Sequence, residues 1–286
     1  MATEELPPAP GGDEADRELK ARHRRMWALG DYPTVSRELV APFGPRLVEA
    51  CDISPGQRVL DVGAGAGNVA IPAAERGASV VASDLTPELF DAGRREAAAR
   101  GVELEWVEAD AESLPFPDDE FDVVVSSIGA MFAPHHQAVA DELVRVTRPG
   151  SVIGMINWTP EGWTGHMFKM MAPYAPPPPP GAQSPLLWGN EEHVRELFGE
   201  RVSSLELTRE SLAVTHSGKP LDVREYFKAK FGPTIATYAH IAHDPEQVTA
   251  LDRDFAEFVT SWNRGEPGGP ACYELEYLLV VARKPW

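Results

Sequence analysis

Cysteine is nearly absent from this chain: there are two in 286 residues, Cys51 and Cys272, far apart. Two thiols so separated make neither a disulfide framework nor a metal-ligand cluster, so no metal is expected and a reducing, cytoplasmic setting is. Basic side chains are scarce as well, 26 against 44 acidic, leaving a formal net charge of −18. Phosphate contacts need a cationic surface, so a nucleic acid is excluded as the main partner. No apolar run reaches the roughly 18 residues of a membrane span, which argues against membrane contact. The opening MATEELPPAPGGDEADRELK has no basic n-region and no apolar core, so it does not read as a secretory signal. Residues 1–20 are expected to form a disordered acidic tail.

What is present is enough apolar residue, 43%, for one large or two small domains. Residues 21–56 read as helical segments broken at Gly30–Pro33 and again at Pro42–Pro45. From residue 57 to 158, short apolar strands alternate with helical stretches: RVLDVGA, SVVASD, LEWVEAD, FDVVVSSI and SVIGMINW are the strands. Thr86 and Pro87 are placed to start the helix after the second strand, with Gly101 to stop it. Strands apolar on both faces, joined by helices, predict a doubly wound α/β fold around a mostly parallel sheet.

After Thr159 the rhythm breaks. Residues 159–190 and 216–269 read as insertions rich in Met, aromatics and Pro, including the five prolines Pro176–Pro180, a stiff connector. Residues 191–215 and 270–286 read as a short helix capped by Asn190 and two strands that complete the sheet.

Gly63, Gly65 and Gly67 follow the first strand, where a parallel sheet turns into a helix. Glycine lets backbone turn sharply and a ligand approach it. Asp84 ends the next strand about 20 residues on, where such a sheet places a carboxylate against ribose hydroxyls. The dinucleotide fingerprint G-x-G-x-x-G is not met, because the third glycine falls one residue early and Asn68 stands in its place. Asp61, close to the bend, would repel a pyrophosphate but attract an ammonium. The bend therefore suits a nucleoside with an amino-acid tail better than NAD.

VLDVGAGAGNVA, VVASDLTPELF, EADAESLPFPDDEFDVVVSSIGAMF and ELVRVTRPGSVIGMINW, in that order over Gln57–Trp158, resemble the successive motifs of class I S-adenosylmethionine-dependent methyltransferases. The resemblance implies a Rossmann-like seven-stranded sheet with its last strand antiparallel, a helical N-terminal lid, and the insertions as a helical substrate cap. It implies S-adenosylmethionine as cofactor and S-adenosylhomocysteine as product. Carried over, Asp61 and Gly63 hold the methionine amino group, Ala64, Gly65 and Gly67 form the close turn, and Asp84 takes the ribose. Leu85 packs on adenine, Asp110 and Ala111 lie at its edge, and Ser127 lies near the methionine. RMWALGDYP resembles the lid of small-molecule members, with Trp27 closing the site and Tyr32 touching the cofactor.

Donor activation resides in the sulfonium, so the protein has to align a nucleophile, exclude water and, where needed, take a proton. His135, His240 and Tyr238 are the candidate catalytic residues, with His136 and His166 as further histidines near the same edge. Trp158, Trp163, Met167, Phe168, Met170, Met171, Tyr174, Tyr226, Phe227 and Phe231 either line a pocket for a flat apolar acceptor or pack the cap. The motif Asp/Asn-Pro-Pro-Tyr after the fourth strand is missing, which disfavours adenine or glutamine N-methylation. The expected partners are a small aromatic or apolar acceptor and a second copy of the chain. The alternatives are a quinone-biosynthesis C-methyltransferase and a non-catalytic S-adenosylmethionine-binding protein.

Overall fold

A computed structural model of the chain describes residues 14–178 and 181–286. The part of the expected acidic tail before Glu14, and the last two prolines of the run Pro176–Pro180, lie outside it. Glu14–Lys20 are not a tail: they open a helix, α1 (Glu14–Ala28). Two short helical segments follow, α2 (Tyr32–Val35) and α3 (Phe43–Ala50). The prolines that break the pattern sit at these helix starts, where a missing N–H costs nothing.

The core alternates as predicted: β1 (Arg58–Val62), α4 (Ala70–Glu75), β2 (Ser79–Asp84), α5 (Phe90–Ala99), β3 (Glu105–Glu108), β4 (Phe121–Ser127), α6 (His136–Val146) and β5 (Thr147–Trp158). Then come α7 (Trp163–Met171), α8 (Glu191–Phe198), β6 (Ser204–His216), α9 (Pro220–Lys230), α10 (Gly232–Ile241), α11 (Pro245–Ser261) and β7 (Ala271–Arg283). Asn190 caps α8 as read, its side chain accepting from the His193 N–H at 3.1 Å. Thr86 does not cap α5. A 3₁₀ turn, Pro87–Leu89, intervenes, and the Thr86 N–H is drawn instead to Asp84 Oδ1 at 2.8 Å. The Met-rich stretch and the FGPTIATYAHI stretch, given no element in the sequence reading, are the helices α7 and α10.

The seven strands form one sheet in the order β3-β2-β1-β4-β5-β7-β6. β1 to β5 pair in parallel, and β7 runs antiparallel between β5 and β6. Strand order reverses between β1 and β4, the place where open α/β sheets bind ligands at their carboxyl edge. The central strands are apolar because both faces are covered: Val59, Leu60, Val123, Val124, Val125, Ile153 and Met155 are fully buried. Cys51, at the end of α3, explains one glycine: a Cβ on Gly154 would sit 2.1 Å from its sulfur. Helices α7, α9, α10 and α11 gather into a cap centred on Trp163, whose ring packs 5.1–5.3 Å from those of Phe227, Phe258 and Tyr273.

Candidate active site

The glycine bend is set by a crossing of backbones. A Cβ on Gly63 (φ +70°) would lie 2.7 Å from Gly129 Cα, and one on Gly129 would lie 2.2 Å from the Gly63 oxygen. The tips of β1 and β4 can meet only if both are glycine. Next to this contact Ile128 holds φ +58°, a left-handed conformation costly for a β-branched residue. Gly65 (φ +56°) differs: a Cβ there would meet only Leu89 Cδ1, at 3.9 Å, so its bare backbone faces open space.

That space is a cavity of about 220 Å³ at the carboxyl edge of the sheet. Gly63, Ala64, Gly65, Asp84, Leu85, Ala111 and Ser127 line it, as do Trp27 and Tyr32. Asp84 Oδ2 accepts from the Gly65 N–H and Oδ1 from the Thr86 N–H, both at 2.8 Å. Burial raises the Asp84 pKa, and the two backbone N–H groups oppose that rise. Each carboxylate oxygen keeps lone pairs for a ligand hydroxyl. Among the described residues the Ser127 hydroxyl is buried without a partner. Open glycine backbone, a preset carboxylate and a free hydroxyl on one wall fit an adenosyl amino acid.

Three residues expected to hold the cofactor are not on this wall. Asp61 is 1% exposed, and its Oδ2 accepts from the Ala70 N–H at 2.9 Å, which anchors the start of α4. Burial pushes its pKa up to about 7. Asp110 is taken by Lys20 Nζ at 2.6 Å and by the Glu112 N–H at 2.9 Å. Gly67 (φ +90°) packs under the turn, where a Cβ would crowd Ile71 and Trp106 at 3.0–3.1 Å.

None of the candidate catalytic residues reaches the cavity. His240 is exposed near the end of α10. Tyr238 donates to Asp252 Oδ1 at 2.8 Å under the Lys228 ammonium. His135 turns to Glu112, with Nδ1 at 3.0 Å from Oε2 and its N–H on Oε1 at 2.8 Å, while the wall stops at Pro134. His136 is buried against His193 at 2.9 Å, and burial lowers its pKa to about 4. His166 Nδ1 lies 3.1 Å from the Gly162 oxygen, and the ring packs on Trp262. These placements share one cause: order along the chain places a residue near an edge but does not say which way it faces.

Sequence reading named Trp27 but missed Lys20 and His23 before it on α1. At helical spacing the three present one stripe to the cavity. Lys20 Nζ is bonded to Asp16, Asp110 and Glu112 at 2.9, 2.6 and 2.8 Å. Burial opposes its charge, but those three bonds raise its pKa overall. Asp16, Glu112 and His135 are spaced as a metal could be held, and the Lys20 ammonium already lies among them. Arg24 adds Glu88 and Glu108 at 2.9 and 2.7 Å. The apolar signal was weak because the stripe is made of Lys, His and Trp.

The far wall comes from β5, the cap and β7: Trp158, Trp163, Thr164, Met167, Phe227, Phe231 and Leu275. Of the aromatic and Met residues singled out from the insertions, Phe168, Met170, Met171, Tyr174 and Tyr226 lie off the wall.

A family model described as a methyltransferase domain matches residues 59–150. An uncharacterized protein of Mycobacterium tuberculosis is 47% identical over 269 residues, 94% of this chain and 96% of its own length. Demethylmenaquinone methyltransferase of Thermus thermophilus is 36% identical over 118 residues, 40% of this chain and 54% of that protein. Among solved structures, Haemonchus contortus phosphoethanolamine N-methyltransferase 2, in complex with phosphomonomethylethanolamine and S-adenosylhomocysteine, shares the fold. Its TM-score is 0.52 at 16% identity, covering 86% of this chain and 53% of that one. Sheet order, site geometry and domain match agree: the chain belongs to the class I S-adenosylmethionine-dependent methyltransferases.

Proposed function

We propose that this chain methylates a small, uncharged, largely apolar molecule, aromatic in kind, on O, N or ring carbon, in the manner of secondary-metabolism enzymes. One observation carries the reading: every residue that β5, the cap helices and β7 contribute to the cavity is uncharged. A charged acceptor buried there would lose its hydration with no counter-ion in return, at a cost of several kcal/mol.

In this reading Asp84 holds the ribose diol, Gly63–Gly65 admit the amino-acid portion against bare backbone, and Ser127 supplies a hydroxyl to it. Leu85 and Ala111 flank the base. S-adenosylmethionine, when bound, supplies an activated methyl on a sulfonium. The chain's own work is to align and to dehydrate. Trp27 closes over the site, with its ring 4.5 Å from that of Phe132 and 5.2 Å from that of Tyr32. Tyr32 is pinned by accepting the Gly232 N–H at 3.0 Å, so lid and cap share a residue. His23 is the one histidine on the wall among the described residues, and burial lowers its pKa, keeping it neutral. An acceptor that is already nucleophilic needs no more than this.

Quinone-type C-methylation is the second reading, favoured by the demethylmenaquinone methyltransferase relative and by the same greasy wall. Among the described residues no helix is long and apolar enough to cross a membrane. Calorimetric titration with S-adenosylmethionine, followed by S-adenosylhomocysteine release over neutral aromatic and cationic acceptors, tests the proposal. Turnover confined to neutral aromatics supports it. Binding without turnover across the panel points to a sensor, and preference for cationic acceptors overturns it.

A further inference from the structure

Eight buried side-chain polar atoms have no hydrogen-bond partner among the described residues, and two of them, Ser127 Oγ and Trp163 Nε1, belong to residues that line the cavity. Ser127 lies in the cofactor half. Trp163 lies in the opposite half, at the first turn of α7, and is 2% exposed. Its ring is wedged among Phe227, Phe258 and Tyr273, so it has no freedom to turn its N–H to water. An indole N–H is a donor only, and leaving a buried donor unpaired is destabilising. Of the far-wall residues Trp158, Thr164, Met167, Phe227, Phe231 and Leu275, Thr164 alone carries a side-chain oxygen, and the Trp163 N–H is not bonded to it.

Resting on the function proposed above, we infer that Trp163 is the specificity-determining donor for the acceptor, and that the acceptor is a flat apolar molecule bearing a neutral oxygen acceptor, a carbonyl or phenol-type group. The oxygen takes the indole N–H while the ring system fills the aromatic wall. The same geometry discriminates against amines. Aromatic faces attract cations, but an ammonium here would meet the positive edge of an unpaired N–H and no carboxylate from the cap. A hydrocarbon lacking the oxygen would leave the donor orphaned.

The test uses the full chain, carrying ¹⁵N-indole tryptophan and saturated with S-adenosylhomocysteine, titrated with 2-acetonaphthone, 2-naphthol, naphthalene and 2-naphthylmethylammonium. The Trp163 Nε1–H resonance, assigned by its loss in Trp163→Phe, is expected to move downfield with the two oxygenated probes and not with naphthalene. Those probes are expected to bind about fivefold to tenfold tighter than naphthalene, with the ammonium weakest. Trp163→Phe, which keeps the packing, is expected to erase that advantage and leave S-adenosylhomocysteine affinity unchanged. If the variant does not fold, the wild-type affinity ranking of the four probes decides. Oxygenated probes that bind without moving the resonance, a preserved ranking in Trp163→Phe, ammonium binding as tight as the ketone, or no binding by any probe each overturn the inference. Failure of S-adenosylhomocysteine itself to bind overturns the proposed function instead.

Discussion

Asp84→Asn separates the roles that one carboxylate combines. In the native chain each of its oxygens accepts one backbone N–H, from Gly65 and from Thr86, at 2.8 Å. Its remaining lone pairs face the cavity, where a ribose diol would be held. A hydroxyl bonded to a carboxylate gains about 1.5–3 kcal/mol, and one bonded to a neutral amide about 0.5–1.5 kcal/mol. For two hydroxyls the loss is about 2–3 kcal/mol, a Kd roughly 30-fold to 150-fold weaker. The amide also offers one oxygen where two N–H groups converge. One of them then faces an NH₂, which costs about 1–3 kcal/mol of fold stability. Calorimetry with S-adenosylhomocysteine reads the first effect and a melting curve in its absence reads the second. His240→Ala serves as the control: its exposed ring is off the wall, so affinity, turnover and melting are expected to match the wild type. An Asp84→Asn protein binding within threefold of wild type would mean that the carboxylate only ties the loop, and the cofactor assignment would lose its anchor.

Lys20→Met strips the cation from three carboxylates at 2.6–2.9 Å, and with that cluster partly solvated the cost is about 2–3 kcal/mol. Amide exchange across α1 should speed at least about tenfold, and wild-type protection would refute the anchoring role. Gly63→Ala drives a Cβ to within 2.7–2.9 Å of three backbone atoms of Gly129 and Ala130, so a loss of about 3 kcal/mol or more is expected in denaturant titration; an unchanged midpoint would sink the crossing argument. The His136 pKa falls from 6.5 to about 4 on folding, so the unfolded chain binds the extra proton between those values. Its contribution, about 3 kcal/mol in all, is present above pH 6.5 and lost as pH falls toward 4. His136→Phe should flatten that limb of a stability–pH curve, and an equally steep curve would contradict the neutral buried pair. Burial of Asp61 works the other way, since its pKa is raised to about 7 and stability drains as pH climbs from about 4 to 7.

The cofactor half was legible because its chemistry is written in backbone. Three glycines follow the first strand and Asp84 ends the second, and both signals are local enough to read without coordinates. That Gly63 must be glycine because the tips of β1 and β4 cross is visible only in the fold. The acceptor half was not legible in the same way. Trp163 and Phe168 lie on one helix and are equally aromatic, yet one lines the cavity and the other packs behind it; the difference is set by how α7 settles on α9, α11 and β7. The histidines were hard to place for a related reason. A titratable ring near the right edge looks poised for proton transfer, but His135 spends its bonds on Glu112, and His136 spends its own on His193. The lid repeats the lesson from the opposite side. Lys20 reads as one more charge in an acidic, soluble opening segment, and only the fold brings Asp16, Asp110 and Glu112 around it. What the one-dimensional pattern leaves out is thus pairing: a polar side chain already bonded within the chain has little left for a ligand, whereas a buried one left unpaired, such as the Trp163 indole, still has a hydrogen bond to give.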